Sequence, residues 1–311
     1  MAGYVARRLL QMIPVLFGVS LVVFLLVRLI PGGPAIAMLG SRATPELVAR
    51  VNTELGLDLP LWEQYVDYIV KVLRGDFGIS FFYQQDVTPV VLERVPLTLV
   101  LIAYSALIAL VIAVPLATIA AMRRGGIVDQ GIRTLFSATL GVPSFWLAIM
   151  LILALGVQLK LFPIAGPGEG GLDSLWHLTL PALTIALSIS AILARSLRSS
   201  LIEVFGADFV LTGKAAGLRA RTMLTSYTLR NSLLPLITVL AINIGWVISA
   251  TVIVEQVFGL PGLGSLLITS ITTRDYAIIQ LVTLILAILV ILVNLFTDLA
   301  YAALDPRVTL R

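Results

Sequence analysis

The chain alternates between long apolar runs and shorter polar segments, and six of the runs contain no Asp, Glu, Lys, Arg or His. They cover residues 9–27, 97–121, 134–159, 178–194, 231–254 and 277–297. At a rise of about 1.5 Å per residue, each run is long enough, or nearly so, to cross a hydrocarbon core of about 30 Å. Because the runs are apolar on every face, they predict helices and not the alternating strands of a barrel. The pattern therefore predicts an all-α polytopic membrane protein with six transmembrane helices.

The composition indicates that lipid is the main solvent of the chain. Hydrophobic residues make up 59% of the 311 positions, charged residues make up 12%, and the mean hydropathy is +1.04. Soluble globular proteins carry about twice that charged fraction. The first run also has features of a signal peptide, because Arg7 and Arg8 precede it and Ala35-Ile36-Ala37 resembles a cleavage site. It is longer than the usual apolar region of a signal peptide, about 7 to 15 residues, which favours an uncleaved first helix.

The distribution of basic residues predicts the orientation, since short cytoplasmic loops are enriched in Lys and Arg. An even number of helices places both termini on one side of the membrane. If that side is the cytoplasm, it receives most of the basic residues outside the segment 31–96: Arg7, Arg8, Arg123, Arg124, Arg133, Arg195, Arg198, Lys214, Arg219, Arg221, Arg230, Arg307 and Arg311. The short outer loops then keep only Lys160 and Arg274. The sequence predicts an N-in, C-in topology, which explains the net charge of +4 better than a nucleic-acid partner does.

The long polar segment 31–96 is predicted to lie outside the cytoplasm and to contain two short amphipathic helices. Thr44 and Pro45 have the pattern of an N-cap followed by a first helical residue, and Gly56 ends this stretch. A second stretch, ended by Gly75, repeats apolar residues at helical spacing: Trp62, Tyr65, Val66, Ile69 and Leu73. Two interpretations stay open, in which these helices either lie on the bilayer interface or form an outer platform for a soluble substrate-delivering partner.

This organisation predicts two parts of the chain. Residues 1–96 hold the first transmembrane helix and the long extracytoplasmic segment, and residues 97–311 hold a five-helix core with a cytoplasmic loop at about residues 195–230. Within that loop, Asp208 is positioned to cap a short helix that Gly217 would stop. The predicted helix contains Phe209, Val210, Leu211, Thr212, Gly213, Lys214, Ala215 and Ala216.

The loop helix has an unusual composition for a segment that faces water. It carries the apolar residues Phe209, Val210 and Leu211, and Gly213 is small enough to let another backbone approach. Apolar surface in a cytoplasmic loop favours a protein partner. Packing of this helix against the cytosolic ends of the chain's own helices is the alternative.

Several motifs resemble one known family. Residues 207–218, followed by 229–235, are similar to the EAA-loop region of binding-protein-dependent ABC permeases, although Leu211-Thr212-Gly213 stands where the general motif has Glu-Ala-Ala. Further segments resemble the B-type permeases of dipeptide, oligopeptide, glutathione and nickel importers: residues 4–9, 55–58, 75–80, 255–264, 274–276 and 303–307. Together the motifs extend over the whole chain.

The resemblance implies a type I ABC importer permease fold, in which the helix 208–217 is a coupling helix that docks on an ATPase. It also implies a second homologous permease subunit, two ATP-binding subunits and an extracytoplasmic substrate-binding protein, in a bacterial inner membrane. ATP and Mg²⁺ would be bound by the partner ATPase subunits, and this chain would hold no cofactor. Di- and oligopeptides are the favoured cargo, with nickel, metal chelates or glutathione as alternatives.

Residues that carry chemistry are sparse, so we assign no catalytic, cofactor-binding or metal-ligating residue. The chain has no Cys and a single His, His177, which excludes thiolate chemistry and a multi-histidine metal cage. No P-loop motif is present. Glu255 is predicted to lie at a helix end near water, and Glu255, Gly262 and Gly264 are candidates for an outer loop or gate. A stand-alone secondary transporter is the distant alternative, although the apolar runs hold no coupling charge.

Overall fold

A computed structural model describes residues 2–28, 36, 39, 43–54 and 56–304, with side chains for residues 10–26, 36, 39, 43–53, 56–233 and 235–296. Helices dominate this part of the chain, in which a single antiparallel bridge joins Ile79 and Asp86. The helices are α1 (Ala2–Arg28), α2 (Pro45–Glu54), α3 (Leu61–Leu73), α4 (Val87–Leu92), α5 (Val95–Met122), α6 (Ile127–Leu140), α7 (Ser144–Leu151), α8 (Gly171–Phe205), α9 (Asp208–Ala215), α10 (Ala220–Thr222), α11 (Arg230–Ile242), α12 (Ile244–Val257), α13 (Leu263–Thr273) and α14 (Tyr276–Leu304). Two π-helical segments, Ile152–Gln158 and Met223–Leu229, follow α7 and α10.

These helices occupy the predicted apolar runs. Three stretches are long and apolar enough to cross a membrane by length and composition. They are Val87–Met122, which includes α4 and α5, Gly171–Phe205, which is α8, and Tyr276–Phe296, which lies in α14. Two bent helix pairs qualify when each pair is taken as one span, and α1 contributes a shorter apolar stretch, Leu10–Leu26. The predicted all-α polytopic architecture is confirmed.

The third apolar run, residues 134–159, is not the single straight span that its composition predicts. α6 ends at Leu140 and α7 begins at Ser144, and the bend between them is 109°. Gly141 is the C-cap of α6, and Pro143 precedes α7 without an N–H to continue the hydrogen bonds of the preceding turn. The run is therefore a broken span or a re-entrant segment.

α2 and α3 are the two short helices predicted in the segment 31–96. The backbone N–H of Leu47 donates to Thr44 Oγ1 at 3.3 Å, which confirms the predicted N-terminal cap before Pro45. Gly56 and Gly75 have φ angles of +66° and +77°, in the left-handed region that favours glycine at a helix end.

Only part of the apolar stripe of α3 is covered within this chain. The rings of Tyr65 and Tyr68 lie 5.1 Å and 5.9 Å from the ring of Phe24 in α1. By contrast, Trp62 is 67% exposed and Leu73 is 81% exposed. The exposed residues are compatible with both interpretations of this segment, the bilayer interface and a partner platform.

The chain divides into two compact units, of which the first contains residues 1–96 and 261–291. Its core joins α4, α13 and α14 through apolar side chains that are almost completely buried: Val87, Val90, Val91, Leu263, Leu266, Ile278, Leu281 and Val282.

Asp275 is the polar centre of this first unit and is 2% exposed. Its carboxylate accepts hydrogen bonds from Ser80 Oγ, from the N–H of Phe82 at 3.2 Å and from the N–H of Ile278 at 3.4 Å. Ser80 Oγ also accepts from the N–H of Tyr83 at 2.9 Å. A hydrogen bond to a charged group contributes about 1.5–3 kcal/mol. One carboxylate therefore fixes the loop before α4 to the start of α14.

The second unit contains residues 97–260 and 292–311, and α8 supplies much of its core. A buried ion pair joins α6 to α8 in this unit. Nε and Nη2 of Arg198 donate to the two carboxylate oxygens of Asp129 at 2.7 Å and 2.6 Å, and the N–H of Gly125 donates to the same carboxylate at 2.9 Å. Asp129 is 1% exposed. This fork geometry satisfies a charge that would otherwise be costly to bury.

Replacing Asp275 by Ala should release the loop before α4, because three hydrogen-bond donors lose a buried acceptor. We expect a loss of about 2–4 kcal/mol in local stability. Hydrogen exchange followed by mass spectrometry should show faster exchange in residues 78–87. Asp76→Ala is the matched control, because Asp76 is exposed and, within the described part of the chain, its side chain accepts one hydrogen bond, from the N–H of Gly78 at 3.0 Å. Equal exchange in the two variants would contradict a central role for Asp275.

Candidate functional site

The loop helix predicted over residues 208–217 is α9, and its two ends differ in how well they match the prediction. Ala207 occupies the N-cap with extended backbone, and no side chain caps the helix. The capping role expected for Asp208 is therefore wrong, and Asp208 is instead the first helical residue, where a carboxylate interacts favourably with the helix dipole. Gly217 has a φ of +77°, which confirms the predicted stop.

One face of α9 is buried against its own chain. Val210 is 1% exposed, and Gly213, one helical turn further, is also buried. A Cβ atom at Gly213 would lie 2.8 Å from both Cε and Sδ of Met223, and 3.3 Å from Cδ1 of Leu218. The close approach expected at Gly213 is thus made by this chain, where the end of the flexible Met223 side chain fills the adjacent space.

The rest of the surface of α9 is open. Phe209 is 43% exposed and Leu211 is 55% exposed. Four smaller or polar residues on the helix and its end are also exposed: Thr212, Lys214, Ala215 and Ala216. The interpretation of internal packing therefore holds for Val210 and Gly213, and a protein partner remains a prediction for the exposed Phe209 and Leu211.

The buried face of α9 contacts a segment that continues into the next long helix. Met223 begins the π-helical segment Met223–Leu229, which runs directly into α11. In this region the buried hydroxyls of Thr228 and Ser232 have no hydrogen-bond partner within the described residues. π-helical segments occur frequently at functional sites. Gly213 and Met223 therefore connect α9 to the segment that leads into α11.

Glu255 is placed differently from its prediction. It lies in the last turn of α12, is completely buried, and accepts a hydrogen bond from Thr98 Oγ1 of α5 at 2.6 Å. The expectation of a residue near water is wrong, because α12 continues to Val257 and brings the carboxylate against α5. A buried carboxylate needs such partners to offset its lost hydration.

Gly262 and Gly264 belong to the first unit and shape the start of α13. The N–H of Gly262 donates to Ser265 Oγ at 3.1 Å, and that hydroxyl donates back to the carbonyl of Gly262 at 3.0 Å. Gly264 is buried in the first turn. The three gate candidates therefore divide between the units, with Glu255 in the second.

Thr98, Asp129 and Arg198 had no predicted functional role, but each forms a hydrogen bond to a distant part of the chain. Thr98 and Glu255 are 157 positions apart, and Asp129 and Arg198 are 69 positions apart. One signal was present, since Asp129 is the only acidic residue among the arginines of the segment 122–133. Within the described residues, no group of three or more His, Cys, Asp or Glu is placed to hold a metal ion.

The arrangement defines a class of helical membrane proteins whose fold is known from solved structures. An inward-facing structure of the MetNI methionine ABC transporter matches with a TM-score of 0.59 at 17% identity, over 70% of this chain and 97% of that chain. A crystal structure of an amino acid ABC transporter with histidines matches with a TM-score of 0.50 at 16% identity, over 71% and 95% of the two chains. These likenesses show the type I fold of ABC importer permeases.

The sequence comparisons define the family. Residues 113–310 match the binding-protein-dependent transport system inner membrane component, and residues 1–102 match the N-terminal part of such membrane components. Over 99% of both chains, the sequence is 34% identical to the dipeptide transport system permease protein DppB of Escherichia coli and 36% identical to the di/tripeptide transport system permease protein DppB of Pseudomonas aeruginosa. It is 35% identical, at the same coverage, to the glutathione transport system permease protein GsiC of Escherichia coli.

The chain therefore belongs to the binding-protein-dependent inner membrane components, and it is a multi-pass permease subunit of a bacterial ABC importer. Subunits of this family are the non-catalytic membrane parts of their transporters. The resemblance carried by the sequence motifs is confirmed.

Filling the space at Gly213 should disturb α9 from inside the chain. Gly213→Leu is expected to cost about 1–3 kcal/mol by overpacking against Met223. Combining it with Met223→Ala should restore at least half of that loss, because the shorter side chain vacates the space. Ala215→Leu is the control, since Ala215 is exposed on the same helix. The rate of hydrogen exchange in residues 208–223 is measured for all three variants. If Gly213→Leu and Ala215→Leu raise this rate equally, the packing described above is contradicted.

Proposed function

We propose that this permease forms half of the translocation pathway of an ATP-driven importer of di- and oligopeptides, and that α9 is its coupling helix. The observation that carries the proposal is the divided surface of α9. Its buried face, Val210 and Gly213, anchors the helix to this chain, while Phe209 and Leu211 expose apolar surface. Such surface on a loop helix is typical of a protein-binding site.

Peptides are the inferred cargo, because full-length relatives at 34% and 36% identity are named as dipeptide and di/tripeptide permease proteins. Glutathione is the second candidate, since a relative at 35% identity is named as a glutathione permease protein. Glutathione is itself a modified tripeptide, so both candidates need a pathway that accepts a short peptide backbone.

The proposed complex contains a second homologous permease subunit, two ATP-binding subunits and an extracytoplasmic substrate-binding protein. We assign ATP and Mg²⁺ to the partner ATPase subunits, and no cofactor or catalytic site to this chain. The sequence supports this division of roles, because it has no P-loop motif, no Cys and a single His. The match to binding-protein-dependent transport components supports the delivery of substrate by a separate protein.

The proposed topology has six spans with both termini in the cytoplasm. Three helices of sufficient length, two bent pairs and the apolar stretch Leu10–Leu26 supply the six candidates. The distribution of Lys and Arg supports the orientation. We also propose the two-part organisation, with residues 1–96 ahead of a five-helix core in residues 97–311.

Transmission through α9 follows from its contacts. ATP hydrolysis in a partner moves the groove that holds Phe209 and Leu211, and the anchored face passes this movement to Met223 and α11. At the outer side, we propose that Glu255 holds the end of α12 to α5 through Thr98, while Gly262 and Gly264 shape the start of α13. These three residues are proposed as parts of an outer gate.

Reconstituted transport tests the function. Proteoliposomes that contain this permease with its co-expressed partners should accumulate a radiolabelled dipeptide only when ATP is inside and the binding protein is outside. Unlabelled glutathione should compete if it shares the pathway. Dipeptide flux through this chain alone, with no ATPase present, would instead support a stand-alone transporter and contradict the proposal.

Phe209→Glu tests the coupling face. A carboxylate placed on the exposed apolar surface should lower binding-protein-stimulated ATP hydrolysis by about tenfold or more, because docking would bury an unpaired charge. Ile127→Glu is the matched control, since Ile127 is 89% exposed at the start of α6 and has no proposed docking role. Pull-down of the ATPase measures assembly in parallel. The proposed coupling site is wrong if both variants retain native stimulation and assembly.

A further inference from the structure

An open cavity of about 390 Å³ lies in the second unit, among α5, α6 and α8. Its polar wall is formed by Arg133, Arg195, Arg198, Ser137 and Ser199. The rest of the wall is mainly apolar and includes alanines of α5 and α8. The volume lies at the lower end of the range of about 300–1,000 Å³ that is usual for small-molecule sites.

Two of the three arginines form no ion pair within the described residues, although Arg133 also interacts electrostatically with Asp129. Arg198 is held by Asp129 through two hydrogen bonds, so this pair adds no net charge to the wall. Arg133 and Arg195 are exposed, and no ion pair joins either of them to an acidic residue in the described part of the chain. The cavity therefore presents two guanidinium groups to a ligand, and Ser137 and Ser199 add hydroxyl groups beside them.

The cavity lies at the depth where three apolar runs end. Ala120 is the last but one residue of the run 97–121, and Arg133 directly precedes the run 134–159. Ala194 closes the run 178–194, and Arg195 follows it. Apolar runs end where the hydrocarbon core gives way to the headgroup region. The two free guanidinium groups are therefore level with lipid phosphates.

We propose that this cavity binds a phosphate group, carried by an anionic lipid headgroup or by free phosphate. Planar guanidinium groups bind phosphate oxygens through paired hydrogen bonds. Basic pockets between transmembrane helices are known to bind anionic headgroups. The ion pair between Arg198 and Asp129 holds the cavity wall in place, because it joins α6 to α8. None of its lining residues lies on α9.

The double variant Arg133→Gln/Arg195→Gln tests the site in the complex purified with its co-purifying subunits. After delipidation, phosphatidylglycerol is titrated back and bound copies are counted by native mass spectrometry. A contribution of about 1 kcal/mol from each arginine predicts affinity weaker by roughly thirtyfold in the double variant. Arg195→Gln alone should show an intermediate loss of about fivefold. The matched control is Arg123→Gln/Arg124→Gln, which removes two exposed arginines near the same surface that do not line the cavity.

A second arm separates the two sources of phosphate. Equilibrium dialysis of the delipidated complex with radiolabelled inorganic phosphate should show weak binding, which phosphatidylglycerol displaces if the lipid is the natural ligand. Saturable phosphate binding that needs Arg133 and Arg195, and that the lipid does not displace, assigns the site to free phosphate. The proposal is overturned if neither probe depends on these arginines, or if the control pair lowers lipid binding equally. It is also overturned if the double variant loses an attached subunit while its lipid affinity is unchanged.

Discussion

Hydrocarbon offers no hydrogen-bond partner, so every polar group in a membrane span must be satisfied by the protein itself. Several hydroxyl side chains in the spans obey this constraint by bonding to their own helices, whereas the buried hydroxyl of Ser232 has no partner within the described residues. Ser105 Oγ donates to the carbonyl of Leu101 at 2.6 Å, and Thr184 Oγ1 donates to the carbonyl of Leu180 at 2.9 Å. Both hydroxyl-bearing residues are completely buried. A Ser or Thr in an apolar run is therefore not evidence of a water-filled pathway by itself.

The same constraint makes polar pairs between different helices important for how the helices pack. Thr98 and Glu255 connect α5 to α12, and Asp129 and Arg198 connect α6 to α8. Apolar packing alone leaves the sliding and rotation of one helix on another weakly specified, because lipid is as apolar as the helix surface. A buried charge that loses its partner is costly. We infer that these pairs set the register of the helices they join.

The sequence predicted the helical runs, the caps at Thr44 and Gly217 and the family, because each depends on local pattern. It did not predict the two polar pairs, since local pattern cannot match partners that are 69 and 157 positions apart, even where one member, Asp129, stands out among arginines. The break before Pro143 was also missed, because apolar composition is the same in a straight span and in a bent one. In α9, eight residues cover little more than two turns, which is too short for periodicity to separate a buried face from an exposed one.

That shortness also explains how α9 is built. An isolated helix of this length is not stable in water, so α9 depends on its tertiary contacts. Val210 and Gly213 supply these contacts, and Gly213 allows Met223 to approach closely. Because Leu211 replaces the acidic residue of the general loop motif, the open face offers apolar contact where a charge would otherwise stand. A helix that packs on its own chain through one face, and exposes apolar residues elsewhere, can transmit movement only while the packed face keeps its contacts. The packing at Gly213 is therefore as important to the proposed coupling role as the surface that a partner would touch.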